Sequence, residues 1–166
     1  ERLERQNVPH HSLVVGDGPA REALEERLPN TTFTGFLDGE ALSQAYASSD
    51  LFLFPSDTET FGNVTLEAMA SGLPTICADA AGSRDLVKDD TTGRLCPTGD
   101  IDAFTDAVRT LIVDASLRDQ MSAAAYTRAQ DFTWTNVLRQ MNRYYDEVLE
   151  HTPRSSRSVA PTGVPA

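Results

Sequence analysis

From Ser12 the chain alternates short apolar runs with stretches of helical periodicity: SLVV, then AREALEERL, TTFTGF, GEALSQAYASS, DLFLFPS and ETFGNVTLEAMASG. The alternation continues through PTICA, SRDLVK, TGRLC and IDAFTDAVRTLIV, with Gly16, Gly18, Gly35, Gly82, Gly93 and Gly99 at the joins. Strands that alternate with helices at this spacing need crossover connections, which are right-handed and pair the strands in parallel. The pattern predicts an α/β fold, Rossmann-like, with a parallel sheet and helices on both faces. The runs SLVV, LFLF and TICA carry no polar alternation, so all three are expected to be central strands covered on both sides.

Beyond Asp114 the pattern becomes all-helical, ending in WTNVLRQMNRYYDEVLE, where Val137, Met141, Tyr144, Tyr145 and Val148 recur at helical steps. This last helix has to cover something. Residues 1–150 read as one lobe. Residues 151–166, rich in Pro, Ser and small residues without periodicity, read as a disordered tail.

A length of 166 residues fits one domain, and no apolar run approaches the about 20 residues that cross a bilayer. The opening ERLERQNVPHH lacks the apolar centre of a signal peptide and does not start with Met, so a piece of a longer protein is expected. A net charge of −11 opposes generic attraction to nucleic acid or to an anionic membrane, so an anionic ligand has to be held locally. Cys77 and Cys96 have no second Cys or His at ligand spacing and read as two buried thiols in a reducing compartment. His10, His11 and His151 lie near the two ends of the patterned region and read as bystanders.

The stretch TETFGNVTLEAMASG, Thr58 to Gly72, carries the chemistry. In a parallel α/β sheet ligands bind beyond the carboxyl ends of the strands, where loops enter helices. Residues 55–62 form such a loop after LFLF. Asn63 is a candidate N-cap, and Gly72 followed by Pro74 a helix stop. The amides of roughly Gly62 to Thr65, with the positive end of the helix dipole, would then face an anion, and Gly62 would let a phosphate approach the backbone. Glu59 lies before the helix and Glu67 one turn inside it. Each carboxylate can accept a pair of hydrogen bonds from vicinal hydroxyls, as sugars and riboses offer. Taken singly, each also reads as a solvated residue near a positive helix end. The surroundings of Glu67, from Val64 to Ser71, are apolar or small, which predicts a partly covered carboxylate in need of a partner.

These segments resemble the retaining glycosyltransferases of family 4, which have the two-lobed GT-B fold. ETFGNVTLEAMASGLP is similar to that family's Glu-x7-Glu signature, VVGDGPAREALE to a strand-loop-helix, and FTGFLDGEALSQAYASSDLFLFPS to the next two units. AAGSRDLVKDDTTGRLCPTGDIDAF and FTWTNVLRQMNRYYDEVLE resemble its closing segments. The resemblance implies the C-terminal, nucleotide-sugar-binding lobe, lacking its first segment and the N-terminal lobe. It makes Glu59 a ligand of the transferred sugar and the residue nearest the chemistry, and Glu67 a ligand of the ribose. Phe61, Gly62, Asn63 and Val64 would hold the sugar and diphosphate. Gly16 and Gly18 would approach the donor, and Gly35, Phe36 and Leu37 would line the base pocket. On the residues alone Gly18 reads equally as a turn residue, and Phe36 equally as core. AAGSRDLV departs from the more usual Gly-Gly-x-x-Glu, with Ala81 at the first Gly and Asp85 at the Glu. Arg84 could face a phosphate, although a surface role suits it as well.

The resemblance further implies a nucleotide diphosphate sugar as donor, with GDP-mannose preferred over UDP-glucose or UDP-sulfoquinovose. The acceptor would be a membrane lipid or a glycan. It implies no cofactor, no required metal and no nucleic acid partner. An Arg and a Lys that clamp the diphosphate would come from the preceding segment, and the acceptor site from the N-terminal lobe. A cytoplasmic location is expected, with any membrane contact made through that lobe. Two other readings remain: a dinucleotide-binding domain, for which GDGPAR is a poor G-x-G-x-x-G because Arg21 replaces the last small residue, and a non-catalytic binding domain.

Overall fold

The computed structural model describes residues 1–151. The chain divides after Gln130 into two compact units, where the sequence pattern reads as one lobe to residue 150. The first unit contains strands β1 (Ser12–Val15), β2 (Thr31–Gly35), β3 (Phe52–Phe54), β4 (Thr75–Ala78) and β5 (Gly93–Cys96). Its helices are α1 (Arg2–Arg5), α2 (Arg21–Arg27), α3 (Gly39–Ala47), α4 (Asn63–Ala70), α5 (Ala81–Leu86), α6 (Ile101–Val113) and α7 (Ala115–Ala129). This is the expected α/β alternation, and all strand pairs are parallel.

The strands form two ladders, β1-β2 and β3-β4-β5, in place of one continuous sheet. Only β4, flanked on both sides, is buried at all four positions. β1 and β3 alternate instead, with Val15 39% and Leu53 47% exposed. Both are edge strands of their ladders, and apolar composition alone cannot tell an edge strand from a central one.

The main core gathers Ile76 and Cys96 from the sheet with Ala107, Val108 and Leu111 of α6 and Met121 of α7. Asp100 starts α6 by accepting the amides of Asp102 and Ala103 at 3.1 and 3.0 Å. α4 buries Thr65, Ala68 and Met69 and packs on α7, where Ser122 Oγ donates to the Gly72 carbonyl at 2.6 Å. Gly72 itself sits at φ +78, the left-handed turn that ends α4. Arg128 of α7 donates to the carbonyl of Asp85 at 2.9 Å and so ties down the end of α5.

The second unit contains α8 (Trp134–His151), one residue longer than the expected lobe boundary. Leu138, Met141, Tyr145 and Val148 recur at three- and four-residue steps and are exposed, as is Tyr144. The rest of the expected tail, 152–166, lies outside the described residues.

Candidate functional site

The loop from β3 to α4 is built around two close backbone approaches. Gly62 is the N-cap, at φ +91, and Asn63 is the first helical residue, so the cap falls one position earlier than the sequence suggests. The reason is conformational: the chain turns into the helix through the left-handed region, which glycine enters without a Cβ penalty. The first ladder bond runs from Leu66 N to the Gly62 carbonyl at 2.9 Å. No side chain caps this end, and the amides of Asn63, Val64 and Thr65 have no intrahelical carbonyl to reach. A Cβ on Gly62 would lie 2.8 Å from Leu86 Cδ1 of α5.

Glu59 is half-buried, and its carbonyl lies over Gly82 of α5: a Cβ on Gly82 would be 2.7 Å from that oxygen and 3.1 Å from the Phe61 nitrogen. Phe61 is 45% exposed, so its ring stands out of the loop while its backbone is held against α5. Below α4, Thr65 Oγ1 lies 3.8 Å from the Cys77 sulfur, and burial pushes that thiol up to about 11.

Glu67 is exposed, against the expectation of a covered carboxylate, because its position on α4 faces away from α7 and the sheet. Its partner is the Tyr46 hydroxyl of α3, which donates to Oε2 at 3.1 Å. Burial, and then the Glu67 charge, hold the Tyr46 phenol up at about 12.

The two glycine loops meet directly. Gly16 N donates to the Gly35 carbonyl at 2.8 Å, with the two residues at φ +129 and +73. Arg21 lies beneath them: its Nη2 reaches the Phe33 carbonyl at 3.5 Å, its Nε bonds Glu25 at 2.7 Å, and a Cβ on Gly35 would stand 3.0 Å from Nη1. Phe36 is 77% exposed and therefore not core, and Leu37 is partly buried beside it. Gly18 is exposed, with its amide on Asp17 Oδ1 at 2.8 Å, which is turn chemistry. α3 begins two residues after Leu37 and carries Tyr46 near its end, so one helix connects the glycine loops to Glu67.

Arg84 is engaged by Asp79, Nε to Oδ1 at 2.5 Å, and does not stand unpaired toward an anion. The Asp100-Ile101-Asp102 triplet has the spacing of a metal clamp, but Asp100 caps α6 and Asp102 pairs with Arg2. Among the described residues no group of three His, Cys, Asp or Glu side chains is placed to hold a metal ion. No helix among them is long and apolar enough to cross a membrane. Sequence reasoning passes over Tyr46, and it meets Gly82 only as a joint and Arg21 only as a misfit to G-x-G-x-x-G, without the contacts they make. Tyr46 sits in a polar helix 21 positions from Glu67, and nothing in the local pattern announces the pairing.

The sequence profile of the family described as glycosyl transferases group 1 matches residues 1–114. The chain is 39% identical over 142 residues to a GDP-mannose-dependent alpha-mannosyltransferase of Corynebacterium glutamicum, covering 86% of this chain and 34% of that protein. It is 42% identical over 125 residues to sulfoquinovosyl transferase SQD2 of Arabidopsis thaliana, covering 72% of this chain and 24% of that one. The chain thus spans about a third or less of these relatives. Its fold is similar to that of sucrose-phosphate synthase from Thermosynechococcus elongatus, with 28% identity and a TM-score of 0.72 over 84% of this chain and 39% of that chain. It is also similar to Anabaena Alr3699/HepE solved with UDP, at 25% identity and a TM-score of 0.72, covering 82% of this chain and 41% of that one. These neighbours share the GT-B fold expected from the sequence.

Proposed function

The chain belongs to the group 1 glycosyl transferases, and from that premise we propose that it is the donor-binding lobe of an enzyme that moves a hexose from a nucleoside diphosphate sugar to an acceptor hydroxyl with retention of configuration. The observation that carries this reading is the start of α4: an uncapped helix end entered through Gly62, with Glu59 before it and Glu67 inside it. As the bond from the sugar C1 to the diphosphate oxygen breaks, negative charge grows on the leaving diphosphate. The amides of Asn63 to Thr65 and the positive helix end stabilise that charge without reorganising. Glu59 accepts hydrogen bonds from hydroxyls of the transferred sugar, and Glu67 from the ribose diol. The Gly16–Gly35 junction and exposed Phe36 offer an open backbone and a ring face for the base.

GDP-mannose is the preferred donor, on the similarity to the mannosyltransferase. A uridine donor is the second reading, supported by the UDP in the Anabaena relative. The acceptor is a lipid or a glycan; the family resemblance assigns its binding and the cationic Arg–Lys clamp to segments other than those matched here, and the chain spans 34% of the mannosyltransferase, so the chain alone is expected to bind donor without turning it over. Calorimetric titration of the chain with GDP-mannose, UDP-glucose and NAD tests the class, and binding of NAD alone would refute it. In the full-length protein, Glu67→Ala is expected to weaken GDP or UDP binding, while Glu59→Ala chiefly lowers kcat. Unchanged kinetics in both variants would remove the two roles.

A further inference from the structure

We propose that Tyr46 is a positioning residue for nucleotide binding: its hydroxyl fixes the Glu67 carboxylate through Oε2 and leaves Oε1 directed at a ribose diol. The inference rests on the reading of Glu67 as the ribose ligand and adds a residue on a different helix to that site.

Glu67 stands exposed on the fifth position of an eight-residue helix. A free glutamate there would sample many rotamers and lose that freedom on gripping a ligand. Tyr46 removes the search beforehand. Its hydroxyl has one proton and two acceptors in reach, Glu67 Oε2 at 3.1 Å and the Val64 carbonyl at 3.3 Å. The carboxylate is charged and is the stronger acceptor, while the Val64 carbonyl already lies within the α4 ladder. Oε1 has no protein partner among the described residues, so the carboxylate keeps acceptor capacity for two vicinal hydroxyls.

The phenol can orient Glu67 only if it is itself held. Its ring packs against Phe52 of β3, with centroids 6.0 Å apart, and Phe52 stacks on Phe54 at 5.9 Å. β3 leads directly into the loop that carries Glu59, so both glutamates are referenced to one strand. The side chain of a helical residue leans toward the helix N-terminus. From the last turn of α3, Tyr46 reaches the Glu67 carboxylate of α4 with its hydroxyl and Phe52 of β3 with its ring. A tyrosine that merely pinned α3 to α4 would affect every ligand of this lobe alike, whereas one that aims Glu67 matters only where a diol is present.

The test is calorimetric titration of the full-length protein with GDP, UDP and their 2′-deoxy counterparts, for wild type, Tyr46→Phe, Glu67→Gln and the double variant. Phenylalanine keeps the ring and its contact with Phe52, so only the hydroxyl is removed. Losing the pre-orientation of one flexible side chain predicts about three- to tenfold weaker binding of whichever ribonucleotide the wild type takes. The matching 2′-deoxynucleotide should bind within about twofold of wild type, and the double variant no more weakly than Glu67→Gln alone. Equal weakening of both nucleotides, or no weakening of either, would overturn the role of Tyr46 while leaving Glu67 in place. If Glu67→Gln itself does not discriminate ribose from deoxyribose, or neither nucleotide binds the wild type, the ribose reading falls and the positioning role with it.

Discussion

Gly82 lies so close beneath Glu59 that a methyl group on its Cα would stand 2.7 Å from the Glu59 carbonyl oxygen. Two effects compete at this position. Alanine is a better helix former than glycine by about 1 kcal/mol, and Gly82 lies within α5, where its φ carries no strain. The facing atoms, however, are backbone and cannot swing aside, and overpacking of this kind costs about 1–3 kcal/mol. The steric term should win. Gly82→Ala is expected to lower stability in urea by about 1–2 kcal/mol and to speed amide exchange over residues 58–61. A more stable variant with unchanged exchange would show that the loop does not rest on α5.

At Gly62 the conformational term dominates instead. The only steric conflict for an added Cβ is with the tip of Leu86, which can rotate, but φ +91 stays unfavourable for any L side chain. Gly62→Ala is expected to cost about 1–2 kcal/mol and to disturb the first turn of α4. If the amides of this turn hold the diphosphate, nucleotide affinity should fall more steeply than stability. A calorimetric titration beside a urea melt of the same variant separates the two effects, and a fully stable, fully binding variant would mean that the left-handed turn is not needed.

The contrast between these glycines shows what the sequence can and cannot reveal. The order of strands and helices was legible because each element carries its own period and its own stop signal, as in Gly72 and Pro74 after α4. The turn at Gly62 is legible as a turn, yet the sequence places its cap one residue late because glycine and asparagine both suit that place, and only the backbone angle distinguishes them. LFLF and TICA look equally buried as strings. They differ because Thr75–Ala78 has a paired strand on each side and Phe52–Phe54 only on one. Contacts across distant segments leave no local trace: Tyr46 with Glu67, Gly16 with Gly35, and Gly82 under Glu59 each join residues whose neighbours give no hint of the other.

Asp100 offers a check on how α6 is anchored. Its carboxylate accepts two first-turn amides, which otherwise have no partner, and α6 supplies three residues of the main core. Asp100→Ala is expected to lower stability by about 1 kcal/mol, and Asp100→Asn by only a few tenths, since asparagine caps about as well as aspartate. Equal losses in the two variants would point to the charge rather than the cap as the source of stability.

The buried thiol of Cys77 predicts a loss of stability in alkali with a defined window. In the folded chain burial raises it from 9.0 to about 11, whereas an unfolded chain ionises at its ordinary value. Below pH 9 both states hold the proton, and the thiol adds no pH dependence. From pH 9 to about 11 the unfolded state releases a proton that the folded state keeps, so unfolding grows more favourable as pH rises. At 1.36 kcal/mol per unit the thiol accounts for about 3 kcal/mol over this window, and the effect levels off above it. Tyr46, raised from 10.0 to about 12, acts in the same direction one unit higher. Urea melts between pH 8 and 11 on wild type and Cys77→Ala isolate the thiol. The variant starts less stable because of the cavity it leaves, but its stability should fall less between pH 9 and 11. Parallel curves would mean that Cys77 ionises in the folded protein as readily as in water, and that the floor beneath α4 admits solvent.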